Sequence, residues 1–304
     1  MRYFELAGTK ASRLAQGCMR IGGLAPADLD RLIKTDLECG INFFDHADIY
    51  GGGRCEEVFG DFLAANPGMR EKMLIQTKCG IRRGMYDFSK EHILEALDGS
   101  LKRLKTDYVD FLLLHRPDAL VEPEEVAEAF DILRSSGKVL NFGVSNQDPM
   151  QMELLSQALG EGTIKINQLQ LSLTETGMID AGINVNMKND AGINRDGMVL
   201  NYCRLKGITI QPWSPFQHGF FKGAYIGNPE FAELNRVLDE VAETHGITPT
   251  GVVIAWLLRH PACMQPISGS TTPSRSAEMA KAADVILSRE EWYRLYLAAG
   301  KKLP

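Results

Sequence analysis

An aspartate, a tyrosine, a lysine and a histidine stand in this sequence where short apolar runs stop, and their types suit proton transfer. Asp45 directly follows Phe43 and Phe44, where a desolvated carboxylate is costly unless a cation or several donors meet it. Tyr50 comes five residues later and is followed by Gly51, Gly52 and Gly53. Lys78 ends the run 73–77, His115 ends 109–114, and Ser145-Asn146 end 139–144. A tyrosine is a poor acid at neutral pH, because its unperturbed pKa is about 10. A nearby ammonium favours the phenolate, and a carboxylate holds that ammonium charged and in place. Tyr50, Lys78 and Asp45 supply those three parts, and His115 could orient a substrate oxygen. Singly, each has a duller explanation: a cap, a solvated lysine, a core histidine. Four on successive strand ends, with an Asp-x4-Tyr-Gly spacing, reverse those odds.

The elements that must position these residues follow a strict alternation, which favours parallel βα units. A hairpin is expected at 3–12, turning at Gly8. Strands are then expected at 14–18, 41–44, 73–77, 109–114, 139–144, 165–169, 208–213 and 263–267. Between them, Pro123, Pro229 and Pro249 sit where a first helical residue would be, and Gly137 and Gly246 stand just beyond last turns. Ile93, Leu94, Leu97, Leu101 and Leu104 recur at helical spacing, as do Val126, Phe130 and Leu133. Eight strands and roughly eight helices predict a (β/α)8 TIM barrel with an N-terminal hairpin and long catalytic-face loops, one domain over 1–304. In such a barrel all strand C-termini share one face, so Asp45, Lys78, His115, Asn146, Gln168 and Ser214 would ring one pocket. The segment 174–197, rich in Gly, Asn and Asp and containing Ala-Gly-Ile-Asn twice, is expected as a long loop and a substrate-specificity element. Met19, Met85, Tyr86 and Phe216 are apolar candidates around the pocket.

Composition narrows the partners. The chain of 304 residues has 33 Lys and Arg against 39 Asp and Glu, a net charge of −6 spread without like-sign blocks. That argues against nucleic acid or an anionic membrane and leaves small neutral or anionic ligands open. The N-terminal residues lack a long apolar core, and the run 252–258 is too short to span a bilayer, so a cytoplasmic protein is expected. Cys18, Cys39, Cys55, Cys79, Cys203 and Cys263 form no CxxC or Cys/His cluster and read as reduced, packed thiols, with no metal site.

The sequence resembles the aldo-keto reductases. The likeness runs in order through Gly17-Cys18-Met19, Asp45-His46-Ala47-Asp48-Ile49-Tyr50-Gly51, Thr77-Lys78, Leu113-Leu114-His115-Arg116-Pro117-Asp118, Gly143-Val144-Ser145-Asn146, Asn167-Gln168, Trp213-Ser214-Pro215 and Ser268-Gly269-Ser270. The versions Asp45-His46-Ala47 and His115-Arg116-Pro117-Asp118 are similar to those of bacterial reductases of broad or uncharacterised specificity. The resemblance implies a barrel that binds a nicotinamide cofactor without a Rossmann fold, consistent with the lack of a strand-linked GxGxxG. It implies reduction of a small carbonyl substrate, with Tyr50 as general acid, Lys78 and Asp45 as the pair lowering its pKa, and His115 as the orienting donor.

It also implies the cofactor residues. Ser145, Asn146 and Gln168 match positions that hold the carboxamide, and Trp213 the aromatic beneath the nicotinamide. Cys18, Met19, Arg20 and Asp45 come from the first strand ends, and Ser214, Pro215 and Phe216 from the seventh. Ser268, Gly269, Ser270, Thr272, Arg275, Glu278 and Met279 follow the eighth strand, where barrels build phosphate sites. Ser270 and Arg275 match positions for a 2′-phosphate, so NADPH is expected over NADH. Two departures stand out: Gly269 replaces a frequent phosphate-binding lysine, and Met279 an adenine-contacting asparagine, while Ser268 and Thr271 supply hydroxyls nearby. Two rivals differ in kind. A noncatalytic nicotinamide-binding regulatory barrel would have no need of Asp45 and Lys78 behind Tyr50. A metal-dependent barrel hydrolase would need more strand-end ligands than His46, His115 and Asp45.

Overall fold

The computed structural model describes residues 2–304. The chain opens with β1 (Tyr3–Leu6) and β2 (Thr9–Ser12), an antiparallel hairpin in which Ala7 and Gly8 both take positive φ, 51° and 80°. Two successive left-handed residues match the twist of a tight hairpin, which is why a glycine is needed there. The barrel begins with β3 (Ala15–Gly17), α1 (Pro26–Glu38), β4 (Phe43–Asp45), α2 (Arg54–Ala65) and β5 (Leu74–Cys79). A small second hairpin, β6 (Ile81–Arg82) and β7 (Met85–Tyr86), precedes α3 (Lys90–Leu104) and β8 (Val109–Leu114). Next come α4 (Pro123–Ser135), β9 (Val139–Ser145), α5 (Pro149–Leu159), β10 (Ile164–Gln170), α6 (Gly177–Ile183), α7 (Val199–Lys206) and β11 (Thr209–Trp213). The chain ends with α8 (Ala232–His245), α9 (Pro249–Arg259), β12 (Ile267–Ser268), α10 (Pro273–Ala282) and α11 (Arg289–Ala298).

Eight strands pair in parallel in the order β11-β10-β9-β8-β5-β4-β3-β12. A parallel bridge between Ile210 and Met264, with Ile210 N–H donating to Cys263 O at 2.9 Å and Gln265 N–H to Ile210 O at 2.9 Å, closes the ring. The eighth strand, expected at 263–267, is thus regular only at Ile267–Ser268, because Pro266 can donate no ladder bond.

Strand alternation sorts the side chains. Phe43, Phe111 and Ile166 point into the barrel and pack with Leu6 and Ala11 of the hairpin, which plugs its floor. Phe44, Ile75, Leu112, Phe142 and Val144 point outward against the helices. Two residues past Phe43, Asp45 faces inward again at the opposite rim. The helices bury the stripes their sequences mark: Ile93, Leu97, Leu101 and Leu104 of α3, and Val126, Phe130 and Leu133 of α4. Among the described residues there are eleven α-helices rather than eight. The additions are α6, α11 and a doubling between the last two strands, where Pro249 starts α9 and Pro229 starts a 3-10 turn leading into α8. The segment 174–197 is therefore not a plain loop. Its first Ala-Gly-Ile-Asn ends α6 and its second lies in a 3-10 turn, so the repeat has no structural counterpart. No helix among the described residues is long and apolar enough to cross a membrane.

Among the described residues one carboxyl buried in the helical layer lacks a hydrogen-bond partner. Asp36 of α1 is fully buried and neither carboxylate oxygen has a hydrogen-bond partner. Burial pushes its carboxyl up to about 7, against the opposing pull of the Ser276 hydroxyl on α10. The native state therefore keeps a proton that the unfolded chain releases near the ordinary value of 3.8. Stability from this group is fully present below the unfolded value and is lost as pH climbs toward 7. Asp36→Asn should thus gain stability relative to wild type between about pH 5 and about pH 8, read from urea midpoints. The same difference at both pH values would contradict the assignment.

Candidate functional site

Asp45 ends β4 with its side chain 3% exposed and meets Lys78, Gln76 and Gln168 inside the barrel. Lys78, the inward residue near the end of β5, is wholly buried and places Nζ 2.9 Å from Asp45 Oδ1 and 3.0 Å from Oδ2. The same ammonium donates to His46 O at 2.8 Å and to Tyr50 Oη at 2.9 Å. Its three hydrogens thus have three partners, the condition for holding a lysine charged in a dry interior. Burial favours its neutral amine, but Asp45 and Tyr50 outweigh that and hold its pKa above the ordinary value.

Tyr50 lies one short turn beyond the strand, where Gly51, Gly52 and Gly53 take φ of 59°, 63° and 94°. Three successive left-handed residues are tolerable only without side chains, and they swing the chain from the rim into α2 while the phenol stays over Lys78. Lys78 Nζ also lies 4.7 Å from the ring centroid. Burial raises the phenol's pKa, Lys78 lowers it by charge and hydrogen bond, and Asp45 raises it. The net position is above the ordinary value. Within that balance Lys78 is the group that lowers it, and Asp45 keeps Lys78 charged and in place. His115, at the end of β8, sets its ring edge-on to Tyr50 with centroids 6.0 Å apart. Burial, then Lys78 and Arg116, push its pKa well below the ordinary 6.5, so the imidazole is neutral.

These groups open on a cavity of about 670 Å³ at the C-terminal rim. Of the expected residues, Asp45, Tyr50, His115, Met19, Arg20, Ser145, Asn146 and Gln168 line it. So do Trp213, Ser214, Pro215, Phe216, Gly269, Ser270, Arg275 and Met279. Lys78 is not on the wall because Tyr50 covers it. Cys18, Ser268, Thr272 and Glu278 are not on the wall either. The Cys18 thiol is buried and points to Gln16 O, and the Ser268 hydroxyl accepts from Ser270 N–H. Met85 and Tyr86 are also absent from it, being 52% and 46% exposed on the small hairpin, whereas Ile81 reaches the cavity.

The wall at β9 and β11 is held by an unusual backbone. Asn146 and Ser214, the residues immediately after those strands, have φ of 58° and 53°. Left-handed non-glycine residues of this kind cluster at sites where a side chain must be re-aimed. Trp213 Nε1–H donates to Asn146 Oδ1 at 3.1 Å, and Asn146 Nδ2–H to Ser145 Oγ at 2.7 Å.

The loop after β11 is the part that pattern reading misses. Phe216, Gln217, Phe220, Phe221, Ala224 and Ile226 line the cavity, and Phe221 stacks on Trp213 with centroids 6.0 Å apart. None of 174–197 lines it, which corrects the specificity role expected there. That segment instead braces the loop: Thr174 Oγ1 donates to Gln217 O at 3.2 Å, and Glu175 Oε1 accepts from Gly219 N–H at 2.8 Å.

Charge on the wall is one-sided. Arg20, Arg116 and Arg275 line the cavity with no carboxylate partner among the described residues, while its acidic residue, Asp45, is matched by Lys78. Thr272 does not cap α10 with its side chain and no acidic residue occupies the first turn, so nothing of like charge there opposes an anion beside Arg275. Among the described residues no group of three His, Cys, Asp or Glu is placed to hold a metal ion.

A parallel eight-stranded barrel with a lysine, a carboxylate, a tyrosine and a neutral histidine at one end of a cavity lined by three arginines defines a class of oxidoreductase. The chain belongs to the aldo/keto reductase family, which it matches over residues 13–297. It is 39% identical over 307 residues to a 6-dehydroglucose reductase of Agrobacterium fabrum, covering 96% of each chain. It is 38% identical over 301 residues to the uncharacterized oxidoreductase YcsN of Bacillus subtilis, covering 94% of each. The fold is shared with an aldo-keto reductase from Klebsiella pneumoniae in complex with NADPH, at a TM-score of 0.77 and 23% identity over 97% of this chain and 93% of that one.

Lys78→Met should leave Asp45 charged and unmatched in the interior, lowering unfolding free energy by roughly 3–5 kcal/mol. Adding Asp45→Asn should recover part of that loss, because no buried charge is then left alone. Chemical unfolding of the two variants checks this; a single variant as stable as wild type would contradict the pairing.

Proposed function

We propose that this protein reduces an aldehyde or ketone to the alcohol, with NADPH as hydride donor and Tyr50 as proton donor. The observation that carries the reading is the three-way hydrogen bonding of Lys78 to Asp45, His46 O and Tyr50 at the mouth of the cavity. Tyr50 keeps its proton across neutral pH, as a general acid must. Lys78 then stabilises the phenolate that forms when the proton leaves, and it does so more strongly in a dry site than it would in water. Neutral His115 can donate to the carbonyl oxygen and fix its direction toward Tyr50. Bound in this cavity, a reduced nicotinamide supplies the hydride to the carbonyl carbon.

The residues present suit that cofactor. Ser145, Asn146 and Gln168 would hold its carboxamide, and Trp213 offers an aromatic face to the nicotinamide. Ser270 and Arg275 would take a phosphate group, and Arg20 lies on the same wall. The Klebsiella pneumoniae protein of this fold is in complex with NADPH, in keeping with that choice. Six free thiols and the lack of a membrane-spanning helix among the described residues suit a cytoplasmic setting.

The deciding experiment follows NADPH absorbance with a panel of aldehydes and ketones, including 6-dehydroglucose, the compound named for the Agrobacterium fabrum relative. Wild type should turn over at least one, and Tyr50→Phe should lose most of kcat while binding NADPH as before. A wild type that binds cofactor but reduces nothing, or an equally fast Phe variant, would sink the reading. For cofactor choice, Arg275→Ala should weaken NADPH roughly ten- to a hundredfold and leave NADH nearly unchanged, since a charge-assisted contact is worth about 1.5–3 kcal/mol. Equal losses in the two dissociation constants would remove Arg275 from the phosphate site.

A further inference from the structure

Beneath Asp45 the barrel interior contains a chain of amides that neither stability nor the aldo/keto reductase assignment explains. Gln76, Gln211 and Gln265 are each fully buried, and Gln168 is 3% exposed. Gln76 Nε2 lies 2.5 Å from Asp45 Oδ1 and 2.9 Å from Gln211 Oε1. Gln168 Nε2 repeats the pattern, 3.0 Å from Asp45 Oδ1 and 3.1 Å from Gln211 Oε1. Gln211 Nε2–H then donates to Gln265 Oε1 at 2.8 Å, and Gln265 Nε2–H to Ser12 O at 2.6 Å, at the hairpin that plugs the floor.

The direction of this chain is fixed by its two ends. A carboxylate and a backbone carbonyl can only accept, so Gln265 must turn its nitrogen to Ser12 and its oxygen to Gln211. Gln211 must in turn present its own oxygen to Gln76 and Gln168. Each of those amides then spends one hydrogen on Gln211 and the other on Asp45. The arrangement is held even though Gln76 Oε1 is buried without a partner. Turning that amide over would satisfy nothing and would set its oxygen against two acceptors.

A core selected for stability alone would be apolar at this level, as it is around Phe43, Phe111 and Ile166, because buried amides at best recover their desolvation cost. We propose that Gln76, Gln211 and Gln265 are positioning residues for the proton donor: they clamp Asp45 Oδ1 from below, which aims Lys78 Nζ at Tyr50 Oη. The clamp reaches from the barrel floor to the catalytic rim, so Gln211 and Gln265 act on Tyr50 without touching substrate or cofactor. This rests on Tyr50 as the proton donor of the reductase reading.

The test uses Gln211→Met, which removes the shared acceptor, and Gln265→Leu, which cuts the chain at its far end and serves if the first variant does not fold. Tyr50 ionisation is read from ultraviolet titration, as the difference between each background and the same background carrying Tyr50→Phe, so no turnover is needed. Both variants should move the Tyr50 titration to higher pH, because Lys78 is no longer held on the phenol. They should also lower kcat for an aldehyde roughly tenfold with little change in KM, the effect of about one pK unit of lost interaction. Gln211→Glu should restore kcat at mildly acidic pH, where a buried acid keeps its proton and copies the amide by accepting from Gln76 and Gln168 and donating to Gln265. Folded variants whose Tyr50 titrates as in wild type would overturn the proposal. Shifted titrations in a protein that reduces no carbonyl compound would keep the clamp and sink the reductase reading.

Discussion

A charged lysine in a barrel interior imposes a condition on everything near it. Lys78 has no access to water, so each of its hydrogens needs an acceptor and its charge needs a counter-charge. Asp45 supplies the charge, His46 O and Tyr50 Oη supply the remaining acceptors, and each is delivered by a different feature of one short stretch. The strand period places Asp45 inward two residues after Phe43. The glycine run after Tyr50 permits the turn that brings its hydroxyl back over the ammonium. Stability and chemistry share this contact. The hydrogen bond that completes the solvation of Lys78 is also the one that would stabilise a tyrosinate in the proposed proton transfer.

Around that centre the barrel separates support from access. The floor is closed by apolar rings and the hairpin, the middle carries amides, and the rim carries the groups that meet a ligand. The cavity wall is completed by the loop after β11 and the segment leading into α10, which differ in kind. The loop offers aromatic surface around Trp213, braced from outside by Thr174 and Glu175. The helix end offers Ser270 and Arg275. An extended ligand with an aromatic head and an anionic tail fits that division of labour.

The barrel and the four polar strand ends are legible in the sequence because each is a local signal: an apolar run of strand length that stops at a residue unsuited to burial. Pro123 and Pro249 mark helix starts for an equally local reason, since proline at a first turn forfeits no bond. What escapes is what depends on pairing at a distance. The loop 214–226 has no period of its own, and its place over the cavity follows from contacts with 172–175. Met85 and Tyr86 read as pocket residues, yet the small hairpin they form turns them to solvent. Gln76, Gln211 and Gln265 do carry a signal, a glutamine at an inward position of an otherwise apolar run. Its meaning emerges only when three strands bring the amides together. The direction of the Tyr50 shift is also hidden, because it depends on how far burial outweighs Lys78.

The central claim is that a proton leaves Tyr50 as hydride reaches the carbonyl carbon. The most direct measurement is the solvent deuterium isotope effect on kcat/KM for aldehyde reduction, in wild type and in Tyr50→Phe. A proton in flight from Tyr50 predicts a normal effect in wild type that is lost in the residual activity of the variant. An effect of the same size in both proteins would contradict it, since the proton would then come from some other group.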